Sequence, residues 1–167
     1  FNIRSFGNRQ TYLLTLAINN ELNLKSVFGF HLTNLLIHIC VVILVFYNMY
    51  CILLFFKIGL PRGMLLLTDN AKTLIRFQKF LPFLTALLFA IHPLGTDSVT
   101  YISSRSSLLA TFFYLLCTYG FLYFFLIRER MNTVQCLFLA SGICFGFFLA
   151  VTSKLIAATL PVSLAII

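Results

Sequence analysis

The sequence has few charged residues for its length. Of its 167 residues, 10% are charged and 60% are hydrophobic, and only four are acidic against twelve lysines and arginines. A soluble domain carries about 25% charged residues, which cover its outer surface. The charges present here are too few to cover a globule of this size. The composition therefore excludes a water-soluble domain and predicts an integral membrane protein.

Several other features are missing. The sequence has no Trp, so an aromatic belt at the membrane surface would rest on its seven Tyr. Its five Cys form no C-x-x-C motif and lie in or beside apolar runs, which indicates small lipid- or core-facing residues. It contains no Gly-rich phosphate loop, Ser/His/Asp triad or zinc signature. The basic residues separate apolar stretches and form no aromatic-interleaved run, so we expect no nucleic-acid partner and assign them to membrane orientation.

Long apolar runs dominate the remaining sequence. A helix needs about 20 apolar residues to cross a bilayer, so the chain has room for about five or six crossings. It predicts an all-α, multi-pass transmembrane bundle, and residues 11–18 predict a shorter helix at the interface. Because the chain opens in a polar stretch at Phe1 and closes inside an apolar run, we expect residues 1–167 to be one transmembrane domain of a longer protein. The predicted spans are 31–56, 80–92, 107–127, 133–151 and 155–167.

The distribution of basic residues predicts an orientation. The loop predicted at 57–79 contains five basic residues and only one acid, Asp69, and Pro61 and Gly63 interrupt it. The positive-inside rule places this loop and the turn at 128–130 on the cytoplasmic side. Segments 1–30, 92–106 and 152–154 then emerge together on the outer face. The polar residues gathered there are Arg9, Asn19, His31, His92, Asp97, Arg105 and Lys154.

His31, Asn34 and His38 are spaced at i, i+3 and i+7, which places them on one face of a helix. Two helical turns separate the histidines by about 10 Å. Zinc ligands lie about 2 Å from the ion, so the two histidines cannot share one, and we expect no metal site here. The spacing favours hydrogen bonds between helices, with a substrate contact as the alternative.

Three further positions have two interpretations each. Pro93 ends a helix at His92, and Thr96 and Asp97 follow as either the cap of the next short helix or a functional acid. Arg105 can grip a lipid phosphate with two hydrogen bonds or extend to the headgroups from the outer rim of the bundle. Lys154, in a break between two apolar helices, can extend in the same way or bind phosphate.

Five motifs occur in order along the chain: Arg9 with TYLLTLAIN, GFHLTNLLIH at 29–38, LFAIHP with TDSV at 88–99, TYISSRSSL at 100–108, and SK with TLP at 153–161. They resemble R-P-L-x-x-L-T-x-A-x-N, G-[FY]-H-x-x-N-x-x-x-H, L-F-x-x-H-P-x-x-T-E-x-V, I-x-x-R-x-x-L and S-K-E-x-x-x-T-L-P. These motifs are typical of polytopic family-C (GT-C) glycosyltransferases with TPR repeats. That group includes the transmembrane-and-TPR O-mannosyltransferases and their bacterial relatives.

The resemblance implies transfer of a sugar from a polyprenyl- or dolichyl-phosphate carrier to a protein or glycan acceptor on the periplasmic or lumenal face. Asp97 would be the catalytic carboxylate. The carrier phosphate would be bound by Arg9, His92, Arg105 and Lys154, while Asn19, His31, Asn34 and His38 would make polar contacts in the bundle. No cofactor is implied beyond the lipid-linked substrate, and membrane lipids are the other expected partner. The residues TYISSRSS are closer to the bacterial members of this group than to the animal ones, which favours a bacterial inner membrane over the endoplasmic reticulum.

The sequence also departs from the family pattern. Gln10 replaces a proline, Asp97 replaces a glutamate, and Leu155 replaces the glutamate after Lys154. The acidic pair of the first outer loop and the TPR repeats are absent from this chain. The alternative is therefore a non-catalytic GT-C-like subunit that acts as a scaffold. A transporter is disfavoured, because charged residues do not occupy the middle of the long spans.

Overall fold

The computed structural model describes residues 9–22, 27–59 and 71–166. Throughout this part of the chain the regular elements are helical, without a strand, which confirms the all-α prediction. Three stretches are long and apolar enough to cross a membrane: Val27–Phe55, Ile102–Arg130 and Thr133–Ser153. Two shorter apolar helical stretches are Phe80–Ile91 and Leu155–Ala165. The chain is thus an integral membrane protein with several candidate crossings.

The helices are numbered here in chain order. Short 3₁₀ turns at Ile102–Ser104, Arg128–Arg130 and Leu155–Thr159 connect some of them. In the described ranges the α-helices are α1 Gln10–Leu22, α2 Val27–Gly59, α3 Ala71–Ile91, α4 Pro93–Thr100, α5 Arg105–Ile127, α6 Thr133–Ser153 and α7 Leu160–Ile166.

Local sequence explains where several helices begin and end. Helix α3 ends at Ile91, as the following His92-Pro93 pair predicts. Helix α6 begins after Asn132, whose backbone N–H donates to Oε1 of Gln135 at 3.1 Å in a capping box. The same helix ends where Lys154 adopts an extended conformation with φ −158° and ψ 130°.

The predicted loop at 57–79 is wrong at both of its ends. Helix α2 continues to Gly59 and α3 already begins at Ala71, while residues 60–70 lie outside the described residues. The first turns of α3 contain Lys72, Arg76 and Lys79. Lys and Arg are good helix formers, so a basic segment at a membrane surface can continue a helix. The cytoplasmic location of this segment stays a prediction.

Helix α5 lies between α2 and α6, and α2 packs in turn against α3. Glycines bring α5 and α6 close together. A Cβ added to Gly146 would lie 2.8 Å from Sγ of Cys117, and one added to Gly120 would lie 3.2 Å from the side chain of Ile143. Small residues at such positions allow membrane helices to pack closely.

The outer surface of the bundle is apolar. Helix α6 alone exposes Val134, Leu137, Phe138, Phe145 and Phe148. A surface of this kind would be unfavourable in water, whereas lipid solvates it without cost. The exposed side chains therefore agree with a membrane location.

Helix α1 lies at one end of the bundle. It packs against α2, α5 and α6, where α2 and α5 begin and α6 ends. Helix α4 packs at the start of α2 and of α5. The described parts of the polar segments that the sequence predicts on one face thus lie at the same end of the fold.

Candidate functional site

Arg105 is the centre of a buried hydrogen-bond cluster. Its side chain is 0% exposed. Its Nε donates to Oδ1 of Asn34 at 2.6 Å, and one terminal nitrogen donates to the carbonyl of Phe30 at 2.9 Å. Longer bonds reach Oδ1 of Asn19 at 3.3 Å and the carbonyl of Thr15 at 3.4 Å. The guanidinium also lies 5.4 Å from the centre of the Phe30 ring.

This position corrects the predicted location of Arg105 at the outer rim of the bundle. The first residue of α5 is covered by α1, which supplies Thr15 and Asn19. A buried guanidinium is costly unless its N–H groups are hydrogen-bonded, and here amide and carbonyl oxygens from α1 and α2 receive them. In this arrangement Arg105 connects three helices. Phosphate binding by Arg105 stays a prediction, and it would require α1 to move aside.

Two polar residues of α2 make hydrogen bonds to backbone carbonyls at and just after the end of α4. Nδ1 of His31 lies 3.3 Å from the carbonyl of Val99, at the end of α4. The side-chain amide of Asn34 donates over 3.4 Å to the same carbonyl and over 3.5 Å to that of Tyr101. Asn19 joins the cluster from α1, where its Oδ1 accepts a hydrogen bond from the hydroxyl of Thr33. His31, Asn34 and Asn19 thus make hydrogen bonds that link α1, α2 and the end of α4.

His38, two turns further along α2, has a different environment. Its ring stacks on that of Phe89 with centroids 5.9 Å apart. A Cβ added to Gly95 would lie 3.3 Å from its Cε1, so α4 passes directly over the imidazole. A cavity of about 400 Å³ opens beside it, lined by His38, Val41, Leu88, Phe89, His92, Gly95, Ser98, Leu108 and Thr111. This cavity runs from the polar end of the bundle into its apolar part.

Lys154 lies at the same end on the other side of α5. Its Nζ donates to Oγ of Ser107 at 2.8 Å, and the residue is partly exposed. In the part of the chain that the structure describes, its ammonium contacts no carboxylate. Two residues before it, the hydroxyl of Thr152 lies 2.7 Å from that of Thr11. The end of α6 is thus tied to both α5 and α1.

Asp97 lies inside α4 with its side chain exposed. The alternative that Thr96 and Asp97 cap the next short helix is wrong. Helix α4 begins at Pro93, because proline suits the first helical position, so both residues lie beyond its start. The hydroxyl of Thr96 instead donates to the carbonyl of Pro93 at 2.5 Å.

Two further predicted site residues, Arg9 and His92, lie just outside the helices. Arg9 is exposed just before α1, and its carbonyl accepts a bond from the N–H of Leu13 at 3.1 Å. His92 is exposed between α3 and α4 and lines the cavity. Arg9, His92, Asp97 and Lys154 all lie outside the Arg105 cluster. Their roles toward a substrate stay predictions.

Sequence reasoning missed the hydroxyl residues that link these segments. The hydroxyls of Thr11, Thr152 and Ser107 all contact residues far away in the chain. They have no periodic pattern or motif that separates them from ordinary hydroxyls in apolar helices. Only the folded arrangement reveals their partners.

Comparison with known proteins finds one relevant similarity. The chain is 30% identical over 107 residues to the protein O-mannosyl-transferase Tmtc3 of Drosophila melanogaster. The match covers 64% of this chain and 11% of that protein, which indicates a distant relationship. No family model matches the chain, and no solved structure matches it.

Proposed function

We propose that this chain is part of a membrane glycosyltransferase that takes a sugar from a polyprenyl-phosphate carrier and passes it to a protein or glycan acceptor. The observation that carries the proposal is the position of Lys154. Its ammonium is bonded to Ser107, and Thr111, one turn further along α5, lines the cavity of about 400 Å³. A partly exposed cation therefore lies at the same end of the bundle as a largely apolar cavity, and its partner Ser107 is one turn of α5 from a residue that lines this cavity.

Each part of this arrangement has a role in the proposed reaction. The apolar walls of the cavity suit a prenyl chain, and Lys154 would stabilise the charge that develops on the departing phosphate. Exposed Asp97 would accept the proton of the acceptor hydroxyl. Arg105 would act as a positioning residue, because its four acceptors on α1 and α2 hold the start of α5 in place. The distant relationship to a protein O-mannosyl-transferase supports a role in sugar transfer.

The membrane in which this takes place stays a prediction. The residues TYISSRSS at 100–107 favour a bacterial inner membrane, whereas the similar O-mannosyl-transferase comes from a fly. In both cases the proposed reaction takes place at the outer, periplasmic or lumenal face.

A transfer assay with the full-length protein and a labelled polyprenyl-phosphate sugar tests the proposal. Lys154→Met is expected to lower kcat about a hundredfold, the usual effect of removing one group that stabilises transition-state charge. Asp97→Asn is expected to lower it at least about tenfold, because the amide cannot accept the proton. Arg128→Met, at the other end of α5, removes the same charge and should leave transfer unchanged. Normal turnover in folded Lys154→Met protein would refute the assignment.

A non-catalytic scaffold is the second candidate, and one observation favours it. Leu155 occupies the position of a glutamate in the family that the sequence resembles, and its side chain is 67% exposed. The carboxylate that would follow Lys154 is therefore missing. Wild-type protein that binds the lipid-linked sugar without transferring it would support this candidate over the enzyme.

A further inference from the structure

A second groove lies at the opposite end of α5. Helix α5 begins at Arg105 and ends at Ile127, which separates its two ends by about 33 Å, close to the thickness of a bilayer core. Between the second halves of α2 and α5 the structure has an open groove of about 470 Å³. It therefore faces the other membrane surface and takes no part in the site around Lys154.

Tyrosine is the most frequent residue type in this groove. Four of the seven in the chain line it: Tyr47, Tyr50, Tyr119 and Tyr123. The rings of Tyr119 and Tyr123 stack at 5.9 Å, and that of Tyr47 lies 5.9 Å from Tyr119 at a tilt of 54°. In the described part of the chain, none of their hydroxyls donates a hydrogen bond to another residue. The groove thus offers aromatic faces and hydroxyl donors that extend about 12 Å from the end of α5 toward its middle.

The rim has both signs of charge. Glu129 and Arg130 line the groove side by side in the turn that follows α5, and both are exposed. Neither forms an ion pair with any residue in the described ranges. Leu54, Leu126 and Ile127 add apolar surface between this rim and the tyrosines further along the helices. An occupant that matches this surface has a negative group, a positive group and an apolar tail.

We propose that this groove binds a zwitterionic membrane phospholipid. Arg130 would hold the phosphate with charge-assisted hydrogen bonds, helped by the tyrosine hydroxyls. Glu129 and the tyrosine faces would take the ammonium, since aromatic rings attract cations and do so best with alkylated ammonium groups. The acyl chain would continue from the apolar part of the groove into the bilayer. An anionic lipid such as phosphatidylglycerol has no ammonium group. Glu129 would then lie near the negative phosphate without a positive partner.

Lipid competition on the purified full-length protein tests this proposal. Native mass spectrometry would count the phosphatidylcholine, phosphatidylethanolamine and phosphatidylglycerol that stay bound when equal amounts are supplied. Wild-type protein is expected to retain the zwitterionic lipids. Arg130→Gln should weaken their binding about tenfold, the effect of losing one charge-assisted hydrogen bond. Glu129→Gln should shift the preference toward phosphatidylglycerol.

Arg128→Gln is the matched control, because Arg128 belongs to the same turn but its guanidinium lies over Phe124, 5.7 Å from the ring centre. It should leave lipid binding unchanged. A second pair tests the aromatic faces: Tyr123→Phe should retain phosphatidylcholine and Tyr123→Leu should lose it. Equal losses in the two arginine variants, a preference of the wild type for phosphatidylglycerol, or a groove that retains no lipid would each overturn the proposal.

Discussion

Gly146 of α6 lies directly against Cys117 of α5, so that a Cβ at position 146 would be 2.8 Å from the cysteine sulfur. The thiol of Cys117 donates a hydrogen bond to the carbonyl of Ile143 at 3.4 Å, one turn before Gly146 on α6. Gly146→Val is therefore expected to lower the free energy of unfolding by about 1–3 kcal/mol, the usual effect of overpacking a core. Reversible unfolding in mixed detergent micelles measures it.

Gly142 provides the control for this substitution. It belongs to the same helix, one turn earlier, and a Cβ there would meet nothing within 4 Å among the described residues. Gly142→Val changes helix propensity equally but should leave the packing intact. In addition, Cys117→Ala in the Gly146→Val protein should recover part of the loss. Equal destabilisation by the two valines would contradict the close contact.

Arg105 is expected to dominate the stability of the polar end. Arg105→Met leaves Oδ1 of Asn34 without its donor in an apolar region and removes a charged donor from the carbonyl of Phe30. Oδ1 of Asn19 loses its bond to Arg105 but keeps the one from the hydroxyl of Thr33. An unsatisfied buried acceptor costs about 1–3 kcal/mol and a lost hydrogen bond to a charged group about 1.5–3 kcal/mol, so together the loss should exceed about 3 kcal/mol. Arg105→Lys should restore little, because one ammonium cannot reproduce the planar fork of the guanidinium. The same unfolding assay, with Arg128→Met as the exposed control, measures both.

Two asparagines on α2 should lose different amounts of stability when each is replaced by leucine. Asn48 is buried and donates to the carbonyls of Leu44 and Leu115 at 2.8 and 3.0 Å, but its Oδ1 has no partner among the described residues. Asn48→Leu loses one bond between helices but removes that unpaired oxygen, so we expect a change within about 1 kcal/mol. Asn34→Leu removes the nearest acceptor of Arg105 and should cost about 2–3 kcal/mol. Similar losses for both would argue against the Arg105 cluster.

The long helices could be predicted from the sequence because apolar runs of about 20 residues have few alternatives in a membrane protein. The break at His92-Pro93 follows from the sterics of proline alone. The overall helical architecture therefore depends on local and compositional signals. These signals do not depend on which helices become neighbours.

The burial of Arg105 could not be predicted in the same way. It depends on α1 folding back over the start of α5, and α1 is held there by contacts such as Thr11 with Thr152, 141 positions apart. Nothing local to Arg105 encodes that cover. The predicted topology indicated that Asn19 and Arg105 lie on the same face, but not that the guanidinium faces protein oxygens instead of solvent.

Accessibility to a reagent that does not cross membranes tests the shared face of Asp97 and Lys154. In protein otherwise free of cysteine, Asp97→Cys and Lys154→Cys should react with a charged maleimide added to the same side of sealed vesicles. Glu129→Cys should react only from the other side, because α5 separates its turn from Arg105 by a full span. A protein that retains only Cys144, exposed in the middle of α6, should not react, since lipid covers it. Reaction of Asp97→Cys and Lys154→Cys from opposite sides would place the proposed proton acceptor and the phosphate-binding cation in different compartments, and a single transfer reaction could not use both.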